Sequence, residues 1–255
     1  MYAFTDPLRQ AWKNLLFLAN KSLDSGKTWS IDFGHDPEDF NNDRVIMGHT
    51  CGYPFIHYFS QSHRPVCIPD FAADGCLDGN YCSWLVCRAD DPRREVSQFA
   101  GSRAAINNWD SNSGMNVFRA TISELAESGR FFESVWVSGG HLNSVLDVID
   151  NKADLAAIDA VSWHLMVREG LVGATRVRLL GQTPSSPGLP FVVPVDSPWQ
   201  ADQVTGAMNA ALEQLDPLSR DTLFLKSFLP ASPTQYERIS EIEQGAISAG
   251  YPRLQ

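Results

Sequence analysis

Residues 104–116 read Ala-Ala-Ile-Asn-Asn-Trp-Asp-Ser-Asn-Ser-Gly-Met-Asn, and this stretch decides the fold. Ala104–Ile106 is a short apolar strand that ends in the polar loop Asn107-Asn108-Trp109-Asp110. A helix then begins near Ser113, with Val117, Phe118, Ile122 and Leu125 recurring on one face. The same order repeats downstream. Val135-Trp136-Val137 reads as a strand ending at Ser138-Gly139-Gly140-His141, and the helix after it turns Val145, Leu146, Val148 and Ile149 inward. Leu155–Ile158 is a further strand, broken at Asp159 before a helix over 160–168. Strand and helix alternating through short connections predict a parallel sheet covered by helices.

The flanks extend this reading. Asp6-Pro7 is a helix entry, with Asp6 as N-cap and Pro7 at the first helical position. Leu8, Trp12, Leu15, Leu16 and Ala19 form its buried stripe. Val45–Met47 leads into His49-Thr50-Cys51-Gly52-Tyr53-Pro54, read as a strand and then a turn. Ser83–Cys87 and Phe191–Val195 are strands, the segment Gln182–Pro190 is a linker or hinge, and two amphipathic helices over 200–215 and 235–248 close the chain. A chain of 255 residues, at about 150 residues per domain, fits two lobes. The fold class expected is α/β.

Thirty acidic against twenty basic side chains give a net charge of −10. That sign excludes a nucleic-acid binder working by phosphate neutralisation. It does not exclude a small anion, which local donors can hold. The five cysteines, Cys51, Cys67, Cys76, Cys82 and Cys87, show no C-x-x-C pair, so structural zinc is not expected. No basic, then apolar leader opens the chain, and no run of about 18 apolar residues occurs. The location expected from the chain as written is cytoplasmic, or periplasmic if an upstream leader has been lost.

In open parallel α/β sheets, ligands bind beyond the carboxyl ends of the strands. Thr50, Tyr53, Asn107, Asp110, Ser111, Asn112, Ser113, Ser138, His141 and Asp159 all lie at or just after such ends. The turn Asp110–Gly114 opens a helix with small polar residues, which suits an anion as well as an ordinary cap. His141 could donate to an anion or serve as a cap. Asp159 could accept from a ligand or cap the next helix. Tyr53 and Tyr81 are candidate aromatic walls. No G-x-S-x-G elbow, P-loop, G-x-G-x-x-G or H-E-x-x-H motif is present. No cofactor or metal is expected.

The run 104–116 resembles the phosphate/phosphonate-type solute-binding proteins of ABC transporters. So do Thr50-Cys51-Gly52-Tyr53-Pro54, Gly75-Cys76 with Tyr81 and Ser83, Val86–Asp91, Val137–His141, Ala153–Asp159 and Pro187–Phe191, in order over nearly the whole chain. The resemblance implies a type II periplasmic-binding-protein fold, two lobes that are each a mostly parallel sheet flanked by helices, closing on ligand about two crossover strands. One lobe would combine residues 1–84 with 190–255, and the other would span 85–189. Ser83–Cys87 and Phe191–Val195 would be the crossovers. The resemblance also implies that Ser111, Asn112, Ser113 and His141 hold an oxyanion, with Tyr53 and Tyr81 reaching in from the other lobe. Asp159 would contact a ligand amine or a protonated oxygen. Asn112 stands where some relatives carry a hydroxyl, and a strand that usually precedes Met1-Tyr2 is expected to be missing.

The function expected is binding of a small phosphate- or phosphonate-like oxyanion, as the solute-binding component of an ABC uptake system with a permease as partner. Two alternatives stand beside it. One is an enzyme on the same scaffold, with His141 as base and Cys51 or Asp159 as partner. The other is a ligand-sensing adaptor without transport.

Overall fold

The computed structural model describes residues 2–23, 29–34, 40 and 44–255. The chain opens with helix α1 (Asp6–Leu23) and strands β1 (Gly48–His49) and β2 (His63–Phe71). Next come β3 (Ser83–Arg88), β4 (Arg103–Ile106), α2 (Val117–Ser123), β5 (Ser134–Val137), α3 (His141–Ile149), β6 (Leu155–Asp159), α4 (Ala160–Arg168) and β7 (Val177–Gln182). It continues through β8 (Phe191–Pro194), α5 (Ala201–Gln214), α6 (Pro217–Leu223), β9 (Leu225–Pro230) and α7 (Glu237–Ser248). Two compact units divide it. The first holds Met1–Ala72, Cys76–Asn80 and Pro187–Tyr236, and the second holds Ala73–Gly75, Tyr81–Ser186 and Glu237–Gln255.

In the first unit the sheet order is β1-β8-β2-β9. All its described pairings are antiparallel, with His49 opposite Phe191, Val192 opposite Pro65 and Phe228 opposite Pro69. The expected parallel arrangement is therefore not what these strands form. Helix α1 packs with α5 and α6 and buries Leu8, Trp12, Leu15, Leu16 and Ala19 as its spacing predicts. Each of the three leucines contributes about 1.5–3 kcal/mol on burial. The helix is capped one residue earlier than expected, the Leu8 N–H donating to Thr5 Oγ1 at 3.4 Å. The expected strand near Val45 is only Gly48–His49. Gly52 and Pro54 begin a helical turn instead of a loop, Cys51 being the extended residue before it. Proline is compatible there because the first turn's N–H groups have no intrahelical acceptor anyway.

The second unit carries the parallel sheet. Its order is β5-β4-β6-β3-β7. Strand β4 runs parallel to β5 and to β6, while β3 is antiparallel to both β6 and β7. Ala104, Ala105, Ile106 and the whole of β6 are buried. Two inward expectations fail: Leu125 lies past the end of α2, and Leu146 points outward from α3. At about 100° per residue, Leu146 falls off the face that Val145, Val148 and Ile149 share.

The closing segment differs from the expected division. Residues 237–255 belong to the second unit, not the first. Helix α7 packs on α2, Arg119 pairs with Glu243 at 3.2 Å, and the Phe131 N–H donates to the Gln255 carbonyl at 2.7 Å. The two strands expected as crossovers each belong to a sheet, β3 in the second unit and β8 in the first.

Candidate functional site

Ile106 ends β4, and after a five-residue loop the chain enters a π-helical turn, Asn112–Asn116, that continues as α2. Ser111 is extended and caps this helix, its Oγ accepting the Gly114 N–H at 3.0 Å. Gly114 lets the Asn107 side chain pack close: an added Cβ would meet Asn107 Oδ1 at 1.9 Å and displace it. Ser111, Asn112 and Ser113 are all buried. The first turn of a helix presents N–H groups without intrahelical acceptors and the positive end of the peptide dipoles.

Strand β5 ends at the same edge of the sheet, since it is parallel to β4 with Val137 opposite Ile106. Ser138-Gly139-Gly140 then turn the chain into α3. Gly139 takes φ +88°, a left-handed conformation that glycine adopts without strain. Ser138 Oγ meets Ser144 Oγ at 2.7 Å and donates to the Ile106 carbonyl at 3.1 Å, so it serves the loop itself. His141 opens α3, and its Nε2 lies 2.9 Å from Ser113 Oγ. Burial lowers the His141 pKa to about 4, the Ala157 backbone beside it acting in the opposite direction. At neutral pH the imidazole is therefore uncharged, and Nδ1 completes no hydrogen bond of good geometry.

Asp159 ends β6 and caps α4, accepting the Ser162 N–H at 2.8 Å. Ser83 stands opposite Asp159 across β3 and β6, and its Oγ donates to the Ser113 carbonyl at 2.9 Å. Asn112 uses its amide inside the unit. Nδ2 donates to Ser186 Oγ at 2.7 Å and to Tyr81 Oη at 3.2 Å, while Oδ1 accepts from Asn116 Nδ2 at 3.1 Å.

Of the expected residues, Tyr81, Ser111, Asn112, Ser113, His141 and Asp159 all lie in the second unit. Direct hydrogen bonds join Tyr81 to Asn112 and Ser113 to His141. The expectation that Tyr81 comes from the opposite lobe does not hold, because the chain enters the second unit at that residue. Tyr53 lies in the first unit, its ring tilted at 41° to that of His57 with centroids 4.3 Å apart. Sequence reasoning missed Ser83, Ser186, Asn116 and Arg119. The last two carried a legible signal: positions 112, 116 and 119 recur on one helical face. Among the described residues, no group of His, Cys, Asp and Glu side chains could hold a metal ion. None of the described helices is long and apolar enough to cross a membrane.

No curated protein matches the chain. Among solved structures, one similar protein is PhnD1 from Prochlorococcus marinus in complex with methylphosphonate, 18% identical, with 94% of this chain and 93% of that one covered at a TM-score of 0.71. A binding-protein component of an ABC phosphonate transporter from Pseudomonas aeruginosa is 14% identical, with coverages of 98% and 85% and a TM-score of 0.71. XAC2383 from Xanthomonas citri, solved bound to ATP, is 18% identical, with coverages of 95% and 94% and a TM-score of 0.69. At these identities the likeness concerns the fold, which is that of the type II periplasmic binding proteins. The family described as "ABC transporter, phosphonate, periplasmic substrate-binding protein" matches residues 31–240. With most of its length so matched, this chain belongs to the phosphonate-type periplasmic substrate-binding proteins of ABC transporters, a family of solute binders and not of enzymes.

Proposed function

We propose that the protein binds a small phosphate- or phosphonate-like oxyanion at the helix start Ser111–Ser113, and delivers it to an ABC permease. The carrying observation is the 2.9 Å contact between Ser113 Oγ and His141 Nε2, which ties together the two helix starts that follow β4 and β5. Two positive dipole ends and their hydroxyls then converge at one sheet edge, where they can replace the water around an anion. Membership in a family of periplasmic binders supports this reading and implies the permease as partner. Within the proposal, Tyr53 and Tyr81 supply hydroxyls, Asp159 meets a protonated oxygen or an amine of the ligand, and closure of the protein accompanies binding.

A ligand that binds only the folded state raises the melting temperature by mass action. The test is a thermal-shift series with methylphosphonate, phosphate, phosphite, sulfate and short carboxylates at millimolar concentration, followed by titration calorimetry. Methylphosphonate or phosphate is expected to raise melting. Ser113→Ala and His141→Ala should each weaken that ligand about tenfold or more, the loss of one charge-assisted hydrogen bond. No shift with any phosphorus oxyanion sinks the reading, and unchanged affinity in both variants moves the ligand away from this helix start.

A further inference from the structure

Arg119 is a buried guanidinium, 5% exposed, on the helix that begins at the proposed site. It follows Asn116 by three residues and Asn112 by seven, so the three side chains occupy one helical face. The bonds between them determine which way each amide points. An arginine can only donate, and Arg119 Nη2 lies 2.8 Å from Asn116 Oδ1. Asn116 therefore turns its Nδ2 the other way, where it donates to the Ile239 carbonyl at 3.2 Å and to Asn112 Oδ1 at 3.1 Å. A carbonyl can only accept, so Ile239 confirms the same orientation independently. Asn112, with Oδ1 turned toward Asn116, presents its two amide protons to Ser186 Oγ and Tyr81 Oη. The guanidinium is fixed in turn by Glu243 Oε1 at 3.2 Å and by the Pro252 carbonyl at 2.9 Å.

A hydroxyl that accepts from an amide keeps its own proton to give. We propose that Arg119 and Asn116 are positioning residues that, through Asn112, turn the Ser186 hydroxyl outward as a donor to the oxyanion. This rests on the oxyanion reading and deepens it. Ser186 joins the site, and Asn112 acts by orienting hydroxyls with an amide committed to the interior. The asparagine that stands where some relatives carry a hydroxyl then has a physical role: the ligand meets the hydroxyls of other residues. A donor at Ser186 favours a ligand oxygen that carries no proton there, and leaves a protonated oxygen to an acceptor such as Asp159.

Asn116→Asp tests the relay with almost no change of shape. Aspartate still accepts from Arg119 but cannot donate, so Asn112 should turn its NH2 toward residue 116 and its Oδ1 toward Ser186. The Ser186 proton is then drawn inward. In ligand-free protein, NOEs from the Asn112 side-chain amide to Ser186 Hβ and the Tyr81 ring are expected in the wild type and absent in Asn116→Asp. Methylphosphonate affinity should fall about tenfold or more in Asn116→Asp. It should stay low in Asn116→Asp with Glu243→Gln, which restores the net charge. Recovery in the double variant makes the effect one of charge and overturns the relay, as does an Asn112 NOE pattern unchanged by Asn116→Asp. Ser186→Ala is the second arm, should Asn116→Asp fail to fold. It should weaken methylphosphonate about tenfold and be rescued by Ser186→Thr, and unchanged affinity removes Ser186 from the site. Wild-type protein that binds neither methylphosphonate nor phosphate defeats the oxyanion reading and the ligand role of Ser186 together, while the NOE pattern still decides the relay.

Discussion

The two ends of the second unit's sheet use opposite chemistry. At the amino ends of β4 and β6 the chain gathers formal charge. Arg103 Nε lies 2.9 Å from Asp154 Oδ2, Arg93 Nη2 reaches Asp154 Oδ1 at 3.2 Å, and the same guanidinium lies 2.6 Å from Asp91. Arg93 also sits over the Phe99 ring at 4.0 Å. At the carboxyl ends of β4 and β5 the groups that join the two helix starts are hydroxyls, amides and an uncharged imidazole, and the Asp159 carboxylate at the same edge is taken up in capping α4. The ionic end meets its charges within itself, so it holds strands together and has little to offer a ligand. The neutral end is built from dipoles whose positive poles face outward, which suits a guest charge that arrives and leaves. A net charge of −10 does not count against the proposed anion site, because formal charge does not count backbone N–H groups.

The largest expected effect separates stability from binding. Asp154→Ala leaves Arg93 and Arg103 without their shared carboxylate and also removes the acceptor of the Arg103 N–H, at 2.9 Å. Breaking a half-buried pair in this way costs about 3 kcal/mol, which lowers melting by roughly 6–12 °C. Methylphosphonate affinity, measured well below the melting transition, should stay within about twofold of wild type, under 0.5 kcal/mol. A collapse of affinity would show the two ends to be one coupled device.

Gly114→Ala attacks the other end. The new Cβ lies 1.9 Å from Asn107 Oδ1 and 3.3 Å from the Asn107 backbone nitrogen, so the Asn107 side chain must move and its backbone must give by a few tenths of an ångström. Overpacking of this kind costs about 1–3 kcal/mol. Here the loss should appear in both melting temperature and ligand affinity, because the displaced atoms position Ser111 and Ser113. Retained affinity would mean that the helix start tolerates movement and does not hold the ligand.

Much of this division was legible in the sequence. Ala104–Ile106, Val135–Val137 and Leu155–Ile158 are apolar runs with short polar exits, and each is a strand of the parallel sheet. Ser111, His141 and Asp159 stand where the exits become helices, which chain order alone reveals. Strand β2 escaped notice because Pro65 and Pro69 lie within it, and proline argues against a strand paired on both sides. The packing of α7 beside α2 escaped too, since it depends on Arg119 meeting Glu243 across 124 positions of chain and Asn116 meeting Ile239 across 123. The partners of Asn112 were equally hidden: Ser186 is 74 residues away, and no local pattern brings the two together.

The smallest effect distinguishes the ends by pH. His141 has its folded pKa lowered to about 4, against about 6.5 for an unfolded histidine. The unfolded chain therefore takes up the proton first, and the neutral end's contribution is complete above pH 6.5 and lost as pH falls toward 4. At the ionic end, the Asp91 carboxyl is held low by hydrogen bonds from Arg93. Burial pushes Asp154 up, but bonds from Arg103 and Arg93 outweigh it and leave the net shift downward. Those carboxylates contribute above the unfolded carboxylate value, about 3.9, and the contribution is lost only as pH falls through their lower folded values. Between pH 6.5 and 4.5 the stability of wild type should thus decline more steeply than that of His141→Gln, by at most about 1.4 kcal/mol per pH unit, the limit for one proton. Comparing the two proteins isolates this group, since His49, His63 and His164 are also lowered by burial and remain in both. Denaturant unfolding at several pH values supplies the slopes, and equal slopes would place His141 outside this balance. A bound oxyanion acts in the opposite sense, because a negative charge beside the imidazole favours its protonated form. At pH 5.5 wild type should consequently take up more protons, or release fewer, on binding methylphosphonate than His141→Gln does, read as a difference between the two in how calorimetric enthalpy depends on buffer ionisation heat.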